Sequence, residues 1–276
     1  LSSRIETEVS SFPFVSGDTF MQMAATVIGE EDLRYRPELD PRLSFVSAPV
    51  ALKGDFVDRV ERLLEEHDSP PARLLIHNGD RIPSSGVLER LGEMFISVHC
   101  VNVVYETSRV RALPIGLENA RLNNNGRLAY YLEGLEEPRG FDRDRLVVSS
   151  FHSSNNPSLR EPVEELFRKS RFGFDGHSWK RREYREVLKE TCFVISPPGN
   201  GPDCHRTWEA LYLGAVPVVL RSHLAGSLVE GMPILAVESY EEFVEKDDDQ
   251  LRDIYRDLTA QHANKAFATH WVKELS

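Results

Sequence analysis

Short apolar runs alternate with amphipathic stretches along most of this chain, the rhythm of parallel strands covered by helices on both faces. Phe12 to Ser16, Leu43 to Ser47, Leu74 to His77 and Met94 to Val98 read as strands. Phe56 to His67 reads as the clearest helix between them, with Phe56, Val60, Leu63 and Leu64 on one face and Asp58, Arg59, Glu61, Arg62, Glu65 and Glu66 on the other. From Glu133 to Arg145 the pattern turns charged, passes Pro138 and Gly140, and loses its period, which predicts a boundary between domains 1–140 and 141–276. A second series follows: strand Leu146 to Phe151, helices Glu161 to Lys169 and Lys180 to Glu190, strand Cys192 to Ser196, helix His205 to Leu213 and strand Val216 to Leu220. Beyond Gln250, Leu251, Ile254, Tyr255 and Leu258 share a helical face, so a last helical segment is free to pack back across the junction. The class expected is α/β with two doubly wound units.

Composition supports a folded chain and removes several functions. Of 276 residues, 41% are hydrophobic and 28% charged, far from a disordered balance. The 33 Lys and Arg against 44 Asp and Glu leave a net charge of −11, the wrong sign for a general binder of nucleic acid or anionic membrane. No apolar run is long enough to span a bilayer and no leader pattern opens the sequence, so a cytoplasmic protein is expected, with a lumenal piece of a membrane-anchored enzyme as the alternative. Three cysteines without CxxC spacing and the lack of an Asn-x-Ser/Thr acceptor favour a reducing compartment.

The segment from Cys192 to Leu220, CFVISPPGNGPDCHRTWEALYLGAVPVVL, carries the most chemistry. An apolar strand runs into a Pro/Gly/Asn loop, and a helix starts near Asp203 to His205. A helix start at the carboxyl end of a parallel sheet attracts anions, and Arg206 adds a forked donor suited to a diphosphate. Glu209, one turn on, is placed to accept from ribose hydroxyls. The plainer reading has Asp203 as a helix cap and Arg206 with Glu209 as a surface ion pair. Arg160 is either a second phosphate ligand or a surface residue at the start of a helix. His205 is either a phosphate donor or a satisfied loop histidine, and Trp179 and Trp208 are core or cleft wall. Cys204 lacks a paired base for nucleophilic work. Asp142-Arg143-Asp144 reads as linker charge and Asp247-Asp248-Asp249 as a solvated helix start, neither as a metal site. Without GxxxxGK[ST], phosphoryl transfer is disfavoured.

The string PPGNGPDCHRTWEALYLGAVPVV resembles the nucleotide-sugar motif of exostosin-like glycosyltransferases. Val15-Ser16-Gly17-Asp18-Thr19-Phe20, His77-Asn78-Gly79-Asp80, Leu113-Pro114-Ile115-Gly116-Leu117-Glu118-Asn119, and Phe151 to Pro157 with Arg160 resemble that family's landmarks in the same order. The resemblance implies a GT-B fold of two Rossmann-like domains facing a cleft, and an inverting, metal-independent transfer. The donor, a UDP-sugar acting as co-substrate with no other cofactor, is then expected on Arg160, Gly199, Asn200, Gly201, Asp203, His205, Arg206, Thr207 and Glu209. A glycan or other hydroxyl acceptor is expected near His77, Asn78 and Asn119. Inversion needs a general base, for which Asp18 and Asp80 rank first and Glu118 next. Each has a plainer role: Asp18 as a helix cap, Asp80 in a Gly-Asp turn, Glu118 as a loop anchor. The alternative function is a non-catalytic binder of nucleotide sugars or glycans on the same fold.

Overall fold

The computed structural model describes residues 11–24, 26–28, 49–57, 73–79, 83–122, 128–136, 143–176 and 179–275. The chain divides into two compact units, residues 1–115 with 267–276, and residues 116–266. Both are α/β, and each is built on a parallel sheet.

Unit 1 contains helix α1 (Gly17–Met23), strands β1 (Thr26–Ile28), β2 (Val50–Lys53) and β3 (Arg73–His77), helix α2 (Ser85–Met94), and strands β4 (Ser97–Val101) and β5 (Val110–Leu113). The five strands lie side by side in chain order, all parallel. Leu74, Leu75 and Ile76 are buried in succession, as in a strand covered on both faces, so no alternation marks them in sequence. Phe12 to Ser16 is not a strand. Ser16 instead caps α1, its side chain accepting from Thr19 N–H while Thr19 Oγ1 accepts from Ser16 N–H, and Phe14 bridges to Phe267. The expected strand Leu43 to Ser47, and the expected helix beyond Val57, lie outside the described residues.

Unit 2 contains α3 (Ala129–Glu136), β6 (Arg145–Val148), α4 (Pro157–Lys169), α5 (Arg181–Lys189), β7 (Thr191–Ile195), α6 (His205–Tyr212), β8 (Val216–Leu220), α7 (Gly226–Val229), β9 (Leu235–Val237), α8 (Tyr240–Val244) and α9 (Asp248–Thr259). Its four strands also run parallel in chain order. Helices cover both faces. Val147, Phe193, Ile195, Val216 and Val218 pack with Phe167, Phe243, Leu251 and Tyr255 from α4, α8 and α9. The alternate positions Val148, Val194 and Val219 are buried as well, and α6, which buries Trp208, Ala210, Leu211 and Tyr212, packs against β8. Asp247 caps α9 in a capping box with Gln250, so the acidic run 247–249 is a helix start, as its charge predicts.

The division falls between Ile115 and Gly116 rather than at 140, and the reason lies in what residues 128–145 bury. Tyr131 of α3 packs edge-on against Tyr212 of α6. Arg143, which reads as linker charge in sequence, is buried and donates to the carbonyls of Leu188, Thr191 and Leu213. Its neighbour Asp142 lies outside the described residues and Asp144 is exposed. The last helix, α10 (Ala268–Leu275), belongs to unit 1: Trp271 meets Phe20 edge-on at 5.7 Å, and Ala268 N–H donates to Pro13 O.

Candidate anion site on unit 2

The loop between β7 and α6 is held by side chains far away in sequence. Arg160, near the start of α4 and buried, donates from Nε to Pro198 O at 2.7 Å, from Nη1 to His152 O at 2.9 Å and from Nη2 to Pro197 O at 3.2 Å. Asn156 Nδ2 donates to Gly199 O, and Gly199 N–H to Gly201 O, both at 2.9 Å. Arg160 is therefore neither a surface residue nor a free phosphate ligand. Its guanidinium is committed to the loop carbonyls, and it shapes the loop.

Gly199 is required by close approach, since a Cβ there would stand 2.8 Å from Arg160 Nη2 and 3.4 Å from Cys204 Sγ. Gly199→Ala is expected to cost about 1–3 kcal/mol through overpacking, read as a lower unfolding midpoint. An unchanged midpoint would mean that Arg160 is not lodged under the loop.

Asp203 does not cap α6. The N-cap is Cys204, which makes no side-chain capping bond, and the buried Asp203 carboxylate accepts from Trp208 Nε1 at 2.9 and 3.0 Å. Thr207 is buried too, its hydroxyl 2.8 Å from that of Ser196. These two residues set the helix start from beneath. Asn200 is exposed and Gly201 half-buried at the outer edge of the loop.

Arg206 is different. It forms no ion pair with Glu209 or any other described carboxylate, and its buried Nε has no hydrogen-bond partner among the described residues. Its guanidinium carbon lies 5.9 Å from the centre of the Phe151 ring, and that of Arg160 lies 5.8 Å from the same ring. Burial, followed by the like charge of Arg206, pushes the Arg160 guanidinium below its usual range. Both guanidiniums thus lie against the Phe151 ring, neither paired with a described carboxylate, and Arg206 stands in the first turn of a helix whose N–H groups lack a side-chain cap. A helix start of this kind carries partial positive charge, so all three features favour an anion.

Two hydroxyls around Arg206 are also buried without a hydrogen-bond partner: Tyr184 Oη from α5 and Tyr240 Oη from α8. The Tyr184 phenol is pushed up to about 12, first by burial, with the Arg206 charge opposing and Glu209 reinforcing. Trp179 stacks on Tyr184 at 6.2 Å, while Trp208 is core. Neither tyrosine is marked by the local sequence, because each sits on the apolar side of an ordinary amphipathic helix. Glu209 is half-buried and bonded to the Tyr131 hydroxyl, which burial and the Glu209 charge push up. Burial likewise raises the Cys204 thiol, which argues against a thiolate nucleophile.

His205, the first residue of α6, is half-buried with Nδ1 2.7 Å from Gly116 O. Gly116 has φ +65°, a left-handed turn that suits glycine, and it opens the loop carrying Glu118 and Asn119. Glu118 is half-buried and Asn119 buried, and both interact with neighbouring groups.

On unit 1, His77 is buried and stacked on Phe20, accepting at Nδ1 from Asn78 N–H at 2.8 Å while Nε2 donates to Pro114 O at 3.0 Å. Both ring nitrogens are occupied within the protein, so His77 is structural. Asn78, at φ +57°, turns the chain after β3. Asp18 is half-buried in the first turn of α1, interacts with neighbouring groups, and is not the cap, a place taken by Ser16. Asp80 lies outside the described residues. No group of three or more His, Cys, Asp or Glu among the described residues is placed to hold a metal ion, and no described helix is long and apolar enough to cross a membrane.

The chain thus holds two parallel α/β units, with a candidate anion site around Arg206 at the carboxyl end of the second sheet. Neither a family model nor a curated protein matches the sequence. Among solved structures the chain is similar to AviGT4, a glycosyltransferase involved in avilamycin A biosynthesis, at 15% identity and TM-score 0.34, over 82% of this chain and 83% of that one.

Proposed function

We propose that this protein is a glycosyltransferase of GT-B architecture that moves a sugar from a nucleotide sugar, a UDP-sugar, to a hydroxyl acceptor with inversion. The observation that carries the reading is the unpaired Arg206 at an uncapped helix start, on a loop that resembles the nucleotide-sugar motif of exostosin-like enzymes. In such a transfer, positive charge develops on the sugar ring and negative charge on the departing diphosphate. Arg206 and the first-turn N–H groups of α6 are fixed donors for that charge, so no metal is required of the site. Glu209, one turn along the same helix, takes the ribose hydroxyls. Arg160 contributes by holding the loop, and its charge adds to the field around Arg206. The acceptor is assigned to unit 1.

Incubating the protein with UDP-, GDP-, ADP- and dTDP-sugars tests the reading directly, because transferases leak slowly to water. Hydrolysis of a UDP-sugar that persists in excess EDTA is expected. Binding without turnover across the panel would favour a non-catalytic sugar-nucleotide module, and a loss in chelator that manganese reverses would contradict metal independence.

A further inference from the structure

An inverting displacement needs a base; of the three carboxylate candidates, Asp18 and Glu118 interact with neighbours, and Asp80 lies outside the described residues. We propose that His205 is the general base, taking the acceptor proton at Nε2 while the Gly116 carbonyl holds its ring through Nδ1. This rests on the glycosyl-transfer reading and assigns a role within the same site.

A backbone carbonyl can only accept, so the 2.7 Å contact to Gly116 O requires the hydrogen to be on Nδ1. The neutral ring then carries its lone pair on Nε2, which has no partner among the described residues. A neutral His205 of this tautomer cannot donate to a phosphate oxygen from Nε2. It can accept a proton there, and the fixed Nδ1 bond orients the ring in the same way that a carbonyl or carboxylate orients other catalytic histidines. The contrast with His77 is instructive, because there both nitrogens are consumed inside the protein.

His205 and Arg206 are the first two residues of α6, and the bond to be broken joins the diphosphate that Arg206 is proposed to hold to the anomeric carbon of the sugar. The acceptor oxygen forms its bond to that carbon as the carbon–phosphate oxygen bond breaks and its electron pair goes to the diphosphate. The acceptor proton passes to Nε2, and the resulting imidazolium returns it to solvent. The charged and titratable groups on the two segments joined by the His205 bond are Asp203, Cys204, Arg206 and Glu209 on one side and Glu118 on the other.

His205→Asn is the informative variant, since the Asn amide reproduces the Nδ1–H donor to Gly116 but lacks a basic nitrogen. With the UDP-sugar that wild type turns over, kcat is expected to fall roughly 10²–10⁴-fold, while the UDP dissociation constant changes less than about threefold. Nitrogen-15 NMR of the wild-type imidazole should show the Nδ1–H tautomer. A variant with near-normal rate would overturn the assignment, as would an Nε2–H tautomer. So would a large loss of UDP affinity, which would make His205 a phosphate contact instead. If wild type itself turns over no donor, the underlying reading has failed, and that outcome is separate because it appears before any variant is made.

Discussion

Arg206→Ala is expected to lower turnover with the true donor by about 10²–10³-fold while the protein still folds. The magnitude is that of removing one fixed donor from charge developing in a transition state, roughly 2.7–4 kcal/mol. The fold should survive because Arg206 forms no ion pair and its Nε is unpartnered among the described residues, so truncation removes a contact with the Phe151 ring together with a like charge beside Arg160. Little change in thermal stability is therefore expected alongside the lost activity. UDP should also bind more weakly, because the diphosphate is charged in the ground state as well. Steady-state kinetics and a melting curve on one preparation check all three. A normal rate with the true donor, or a collapse of the fold, would remove Arg206 from the centre of the account.

Arg160→Ala is expected to do the reverse, with stability the larger effect. Removing this guanidinium leaves the carbonyls of His152, Pro197 and Pro198 without their donor in a buried place. Leaving a buried acceptor without its donor costs about 1–3 kcal/mol. For a unit of this size that corresponds to a fall of roughly 2–12 °C in unfolding midpoint. Arg160→Lys should recover only part of it, since an ammonium cannot reach three carbonyls in the planar geometry that a guanidinium fork supplies. Nucleotide binding should weaken in both variants in proportion to the loss of loop order. Wild-type stability in the lysine variant would show that the fork is not what holds the loop. These two outcomes would separate the two arginines, both candidates for the same diphosphate on sequence grounds, into one that meets the ligand and one that shapes its seat.

That separation marks how far the sequence could be read. Strand β8 is found at the same residues that its apolar run predicts, Val216 to Leu220, and α6 differs by one residue at its end. Both belong to a unit whose strands are buried on two faces, so hydrophobic runs report them faithfully. Strand β5 was not legible, because Val110–Leu113 is short and interrupted by the exposed Arg111. Phe12 to Ser16 was misleading for the opposite reason: its backbone pairs with Phe267 and Ala268, some 250 residues later.

The site divides along the same line. Local spacing located the Pro/Gly loop, the helix start and Arg206. It could not show that Asp203 answers the Trp208 indole, that Arg160 reaches carbonyls 37 and 38 residues away, or that Gly116 fixes the His205 tautomer from 89 residues away. Hydrogen bonds of that range are consequences of the finished fold and leave no periodic trace.

A crystal of the protein soaked with UDP decides whether α6 seats the donor. The diphosphate is expected at the start of α6, with its oxygens at hydrogen-bonding distance, roughly 3 Å, from the Arg206 guanidinium and the first-turn N–H groups, and the ribose toward Glu209. UDP bound elsewhere on the protein, or a site at α6 that stays free of nucleotide at millimolar concentration, would contradict it.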